Sequence, residues 1–430
     1  MLQNIIVLGV NLADNVMIGG YAEVSLSGVA AVNQIQFILQ QVVNGVGDVI
    51  VVLASQYWGQ KRLEPIRSIS AIGTKIALGI ALVLFTLVSL FPEGTLRLFT
   101  NDPAVISEGV RYLRIIRFTY PVFALTTALL ATLRSVETVR IALIISISTL
   151  IINCSINYTL ISGHFGAPEL GVVGAAIGTL TARCVELVVV TCFLAFRDKK
   201  LNLRFRDLLG WNSALARDYL RVGLPVIITA GLWGASNALQ TVILGHMSSN
   251  AIAANSMSST LYLTLKVGSV GAASAAAIII GKTIGEDRGL AKIKEYSRSL
   301  QVLFLCIGAV MSLGLFFLRK PILSLYQLSD ETQALANSFL LVLCVTGFGM
   351  SYQMPTLTGI IRGGGDTRFV LINDLISIWG IVLPVSALAA FVLHWSQVAV
   401  VCCLNADQVF KCGAACIHCN RYRWIKKLTN

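Results

Sequence analysis

Apolar residues run along this chain in stretches of about twenty, separated by short polar and basic segments. Twelve such stretches are readable, at 1–20, 28–55, 70–91, 115–134, 139–162, 171–196, 218–245, 251–281, 297–318, 337–361, 368–392 and 396–418. Each is long enough to cross a hydrocarbon core of about 30 Å at about 1.5 Å per helical residue. Nothing between them is long enough to fold as a soluble domain. The pattern predicts an all-α polytopic membrane protein of about twelve transmembrane helices.

The positions of the basic residues test that reading. Of the 33 Lys and Arg, twenty-four fall in the loops after even-numbered stretches, within a few residues of those loops, or at the C-terminus, from Lys61 and Arg62 to Lys426 and Lys427. Six fall in or beside the loops after odd-numbered stretches, Arg97, Arg111, Arg114, Arg117, Arg319 and Lys320, and three, Arg183, Lys266 and Lys411, lie deeper inside stretches. This asymmetry places both termini in the cytoplasm and supports an even number of spans, because one miscounted span would scramble the alternation. The plasma membrane is the expected location.

The halves repeat. Asn11–Gly19 aligns with Asn237–Gly245, Gln56-Tyr-Trp-Gly59 with Lys282-Thr-Ile-Gly285, Leu98–Asp102 loosely with Leu325–Asp330, and Leu133–Arg140 with Ile361–Arg368. Chance similarity between apolar helices does not explain an offset that stays between 226 and 228 residues at polar and Gly positions. A repeat of six spans keeps both copies in one orientation, so the halves are expected to be related by a pseudo-two-fold axis along the membrane normal. The expected lobes are 1–205 and 206–430, joined by the basic segment around 197–221.

Composition narrows the alternatives. With 56% apolar and 13% charged residues, the chain cannot cover a soluble surface of this size. The net charge of +12 does not point to nucleic acid, since the bases sit in short loops between apolar runs. Met1 opens directly into an apolar stretch without a basic leader, so no cleavable signal peptide is expected, and the first span looks short on its N-terminal side, as if a few residues preceded it. The ten cysteines are scattered, with no disulfide framework.

The sequence resembles the multidrug and toxic compound extrusion (MATE) transporters over essentially its whole length. The carriers are Asn11-Leu-Ala-Asp-Asn-Val-Met-Ile-Gly19, Gly59, Gly174-Ala-Ala-Ile-Gly-Thr179, Arg362-Gly-Gly-Gly-Asp-Thr367, Trp379 with Pro384, and the tail from Asp407-Gln-Val-Phe-Lys411 through Asn420-Arg-Tyr-Arg-Trp424. No one motif is decisive, but their order and spacing together are specific. The resemblance implies two six-helix lobes facing a central cleft, and antiport of drugs and metabolites, often cationic, against Na⁺ or H⁺.

Polar residues inside the apolar stretches are the candidate chemistry. Asp14 sits mid-span with Asn11 and Asn15 nearby. A carboxylate at a helix centre costs about 2.5–3.5 kcal/mol on insertion scales, so it needs a use or a partner. The competing reading is a static hydrogen bond between helices. The resemblance implies that Asp14 couples transport to a cation, assisted by Asn153, Asn157 and Thr179. Asn153 and Asn157 lie four apart, hence on one helix face. In one large branch of the family the matching pair is Asn and Asp. Asn157 removes one negative charge and excludes a two-carboxylate proton relay there, which tilts the reading toward Na⁺ with H⁺ left open.

A polar stripe of Asn33, Gln40, Gln41, Asn44, Asp48 and Ser55, with Phe37, occupies an arc of roughly 100° on the second span. It is expected to line a wet cleft, with Thr260 of the eighth span and Asp374 of the eleventh, or else to pack on another helix. Arg183/Glu186 and Asp407/Lys411 are opposite charges at helical spacing, which more often lower the cost of burial than carry chemistry. Asp374 and Lys266 have no partner visible in the sequence. Cys412, Cys416, His418 and Cys419 match no zinc spacing and read as packing residues, so no metal is expected beyond Na⁺ at Asp14. Gly363-Gly-Gly365 reads as a helix-ending turn rather than a phosphate loop.

The leading expectation is therefore a secondary-active exporter of small organic, mainly cationic, molecules, with a lipid-linked precursor flippase as runner-up. The flippase needs a more basic cavity. An intramembrane enzyme would need a nucleophile–base pair or metal motif, which the sequence lacks, so neither enzymatic activity nor a cofactor is expected. The expected partners are substrates and the bilayer, not nucleic acid, and the expected state is a monomer.

Overall fold

Without water in the bilayer core, each apolar run must satisfy its own backbone polar groups, and it does so as helix. The computed structural model of the chain describes residues 17–18, 23–100, 102–245, 247, 249–323 and 330–429, with a few helical side chains, among them that of Thr260, outside the description. Among the described residues the regular structure is helical throughout. Among the described residues, ten helical stretches are long and apolar enough to span, and one bent pair adds an eleventh. These match the second to twelfth stretches of the sequence. The first, 1–20, lies outside the described residues except for 17–18.

The helices gather into two compact units. One contains residues up to Ala54 together with Arg62–Gly223, and the other Ser55–Lys61 together with residues from Leu224 onward. The principal helices of the first are α1 (Glu23–Gly59), α2 (Leu63–Leu90), α3 (Pro103–Ile116), α4 (Thr119–Ser135), α5 (Arg140–Ile161) and α6 (Val172–Phe196). The last five residues of α1 count with the second unit.

One expectation changes. The fourth span is not a single helix at 115–134 preceded by a loop. Instead α3 meets α4 at a bend of 50°. Asp102 starts α3 by accepting a hydrogen bond from the Ala104 N–H at 2.9 Å, and Pro103 follows at the first helical position, where its missing N–H costs nothing. Val110, Leu113 and Ile116 bury one face, while Arg111 and Glu108 pair at 2.7 Å on the other. This amphipathic helix carries Arg111 and Arg114, which had counted as loop residues.

In the second unit, α7 (Ser213–Gly245) enters from the first, followed by α8 (Ser249–Gly285), α9 (Leu290–Leu323), α10 (Asp330–Met354), α11 (Thr367–Asp374), α12 (Leu383–Phe391), α13 (Gln397–Leu404) and α14 (Asp407–Arg421). Two spans contain widened π-helical segments, Pro355–Ile361 and Leu375–Val382. Proline explains both. Pro355 has no N–H for the preceding turn, and the Pro384 ring would strike the carbonyl four residues back, at Gly380, within the second π segment.

Candidate functional site

Asn153 and Asn157 are buried on the inner face of α5. Asn157 Nδ2 donates to Asn153 Oδ1 at 3.4 Å, and Asn153 Nδ2 donates to Thr179 Oγ1 of α6 at 3.3 Å. The two amides and the hydroxyl thus form one chain. It exists because α5 and α6 approach closely. A Cβ on Gly174 would come within 2.6 Å of the Leu160 carbonyl, and one on Gly178 would strike Asn157 Oδ1 directly. Small residues four apart permit such contact between membrane helices. Three of the four predicted coupling residues are therefore together, and Asp14 lies outside the described residues. Amide and hydroxyl oxygens are hard donors suited to a cation such as Na⁺.

The stripe residues of α1 differ in exposure from the residues on its other faces. Asn33, Phe37, Gln40, Gln41 and Asp48 are partly exposed and Asn44 is exposed, while Val32, Ile35, Leu39, Val43 and Val46 on the other faces are buried. Ser55 departs from it, being fully buried against Gly281. Asp48 also has a local role. Its charge acts on Arg134 of α4 and on Tyr219, whose hydroxyl donates to the Val46 carbonyl at 2.7 Å.

Asp374, without a visible partner in the sequence, has one in space. Lys411 Nζ lies 2.8 Å from Asp374 Oδ1 and 3.1 Å from Asp407 Oδ2. Gln408 Nε2 donates to both Asp407 oxygens at 2.9 Å and its Oε1 accepts from Gln353 at 2.9 Å. One lysine, 3% exposed, thus holds carboxylates from α11 and α14. The i,i+4 pair alone was legible. The bridge to Asp374 spans 37 residues, and its only sequence signal is a surplus acid in an adjacent span. Lys266 of α8 sets its ammonium 3.5 Å above the Trp233 ring centroid. Arg183 and Glu186 pair at 2.8 Å, with the guanidinium over Phe123.

A fourth network was not anticipated. Asp366, in the turn after the first π segment, accepts from Lys426 at 2.8 Å and contacts His418 Nε2 at 3.0 Å. His418 stacks on Phe369 with centroids 3.6 Å apart. Burial works against the Asp366 charge, but the hydrogen bonds and charges of Lys426 and His418 outweigh it and hold the carboxyl below its ordinary 3.8. Gly365 adopts φ +101°, and Gly364 lies flat against the Trp424 indole, where no side chain fits. The tail beyond Trp424 is docked by its backbone. Lys426 N–H donates to the Gly364 carbonyl at 2.9 Å, Gln56 Nε2 donates to the Lys426 carbonyl at 3.1 Å, and Leu428 N–H donates to Gln56 Oε1 at 2.8 Å. Cys419, part of the metal-like cluster in the sequence, is turned toward Ser297 Oγ at 3.4 Å.

Helical spans with polar clusters buried inside them and a polar stripe left accessible have the build of a membrane transport protein. The family model MatE matches the chain twice, at residues 1–159 and 225–388. The Bacillus subtilis (strain 168) protein named probable multidrug resistance protein YoeA is 26% identical over 369 residues, 85% of this chain and 78% of that one. A probable multidrug resistance protein NorM of Streptococcus pneumoniae is 26% identical over 379 residues, covering 88% and 83%. Among solved structures, the Vibrio cholerae MATE transporter VcmN superposes with a TM-score of 0.89 at 16% identity, covering 99% of this chain and 95% of that one. A MOP superfamily transporter from Pyrococcus furiosus superposes with a TM-score of 0.87 at 17% identity, covering 98% and 93%. At these identities the structural likeness is one of fold. The chain belongs to the MatE family, the multidrug and toxic compound extrusion transporters.

Proposed function

We propose that this protein is a secondary-active antiporter that exports small organic compounds, mainly cations, in exchange for Na⁺ or H⁺ by alternating access. The observation that carries the coupling reading is the buried chain Asn157–Asn153–Thr179, a set of hard oxygen donors inside a membrane span. On this reading Asp14 supplies the one carboxylate of the site. Cation and substrate then compete for one protein through its conformational equilibrium. With H⁺, protonation of Asp14 releases a cationic substrate. With Na⁺, carboxylate and amide oxygens close around the ion. The absence of an acid at Asn157 favours the Na⁺ version.

The partly exposed residues Asn33, Phe37, Gln40 and Gln41 and the exposed Asn44 of α1 support a wet substrate path. Asp374 and Thr260 belong to the same path on this reading. The named relatives are multidrug resistance proteins, which supports organic compounds as cargo. The basic residues support a plasma-membrane protein with both termini in the cytoplasm. The test is efflux of a fluorescent organic cation from vesicles under imposed Na⁺ or pH gradients. Gradient-driven efflux that responds to one ion is expected, and efflux indifferent to both gradients would overturn coupling.

A further inference from the structure

The segment that joins α6 to α7 is strapped to the first unit through its own backbone. Arg67 of α2 donates to the Leu201 carbonyl from Nε at 3.0 Å and from an Nη at 2.8 Å. Further along the same helix, Lys75 donates to the Leu209 and Gly210 carbonyls at 2.9 and 2.7 Å. Lys200 donates to the Val136 carbonyl at 3.0 Å. The acids are used in the same way. Asp198 accepts from the N–H groups of Leu201 and Asn202 at 3.2 and 3.1 Å, and Asp207 from the Arg204 N–H at 2.9 Å. Residues 196–221 carry seven bases and three acids, and two of those acids are spent on main-chain groups while the third, Asp218, is half-buried.

The remaining bases face outward. Arg197, Lys199, Arg204, Arg206, Arg217 and Arg221 are exposed, and among the described residues no ion pair engages them. Exposed Phe196, Leu209, Trp211 and Leu220 lie among them in the sequence, and the Trp211 ring centroid is 5.5 Å from the Lys75 ammonium. Phe196 ends α6 and Ser213 starts α7, so the segment sits at a membrane surface between two spans. Exposed bases alone would be content in water. Exposed Phe, Leu and Trp beside them are not, and a phospholipid covers both kinds of group, its phosphate meeting the bases and its glycerol and upper chains meeting the apolar side chains. Nucleic acid would offer phosphates without acyl chains. We propose that the segment 196–221 is a docking site for the headgroup of an anionic phospholipid. The site rests on the spans crossing a bilayer and not on the export reading.

The full chain in detergent is titrated with phosphatidylglycerol and with phosphatidylcholine of the same acyl chains, and bound lipid is counted by native mass spectrometry. Phosphatidylglycerol is expected to bind about tenfold more tightly, the size of one to two bases acting on a headgroup. That comparison needs no variant. Arg204→Gln with Arg206→Gln is expected to abolish the preference and leave phosphatidylcholine binding unchanged. Arg421→Gln with Arg423→Gln removes the same charge from exposed positions of the second unit and is expected to leave the preference in place. Inorganic phosphate, compared with chloride at equal ionic strength, is expected to leave it in place as well. Equal binding of the two lipids would overturn the proposal, since the bases would then serve only to orient the chain in the membrane. A preference that survives the first pair of substitutions, or falls as far with the second pair, would overturn it by showing diffuse charge instead of a site. Displacement by phosphate and not by chloride would overturn the lipid as occupant. The preference in a protein without gradient-driven efflux would support the site and count against the export reading alone.

Discussion

Gly59 and Gly285, which occupy equivalent places in the two halves of the sequence, press reciprocally on each other's helix. A Cβ on Gly59 would strike the Lys282 carbonyl, and one on Gly285 would strike the Gln56 carbonyl. The repeat therefore places its two glycines where one backbone meets another. Gly285→Ala is expected to destabilise the protein by roughly 1–3 kcal/mol, the cost of overpacking. Gly314 faces open space, and Gly314→Ala is expected to be neutral or to stabilise by up to about 1 kcal/mol. Thermal unfolding of both variants in detergent checks the contrast, and equal melting temperatures would contradict the close packing.

Removing Lys411 strands two carboxylates, Asp374 and Asp407, inside the second unit. Lys411→Met alone is expected to destabilise by about 3–5 kcal/mol, the cost of breaking a buried pair from one side. Adding Asp374→Asn and Asp407→Asn should recover most of it, because the neutral set has no unpaired charge. A triple variant as unstable as the single one would show that the lysine acts through packing.

Asp366 gives stability a defined pH dependence. Its carboxyl is held below 3.8 in the folded protein by Lys426 and His418, so the folded state favours the ionised form. The contribution is present above the unfolded value and is lost as pH falls through the lower, folded one. The melting-temperature gap between the unmodified protein and Asp366→Asn is expected to narrow as pH falls below about 4. A gap that widens below about pH 4 would reverse the sign and reject the assignment.

Asp14→Asn is expected to abolish gradient-driven export while leaving a folded, inserted protein. Efflux from vesicles under Na⁺ and pH gradients measures it. Normal gradient dependence in this variant would move the coupling site elsewhere, and Asp374 is the first alternative.

How much of this was legible in the sequence follows from the range of each interaction. The spans from 28–55 to 396–418 were legible because bilayer crossing is a property of each local segment. Helix α3 was not, because Glu108, Arg111 and Arg114 on its other face break up the apolar run along the sequence, although Asp102-Pro103 is a helix-start signal that could have revealed it. The Asn153–Asn157 pair is local and was visible. Its link to Thr179 came from family resemblance. The attachment of Asp374 to Lys411 and of Asp366 to Lys426 joins segments far apart in the chain, and nothing local announces such pairs.

Gln56 has a consequence for the C-terminus. Its amide clamps the two peptide groups on either side of Lys427, one through the Lys426 carbonyl and one through the Leu428 N–H. The side chain behaves like the edge of a strand and recognises the tail by its main chain. Side-chain identity at 427 is thus almost free, since the Lys427–Asp287 pair is exposed on both partners and contributes little. Spacing is not free. Trp424 is wedged on Gly364 and Lys426 is held by Asp366, so losing a single residue between them would shift the peptide groups out of register with Gln56. The buried Gln56 amide would then lack those partners, at a cost of about 1–3 kcal/mol. The tail tolerates substitution at 427 and not a change in its length.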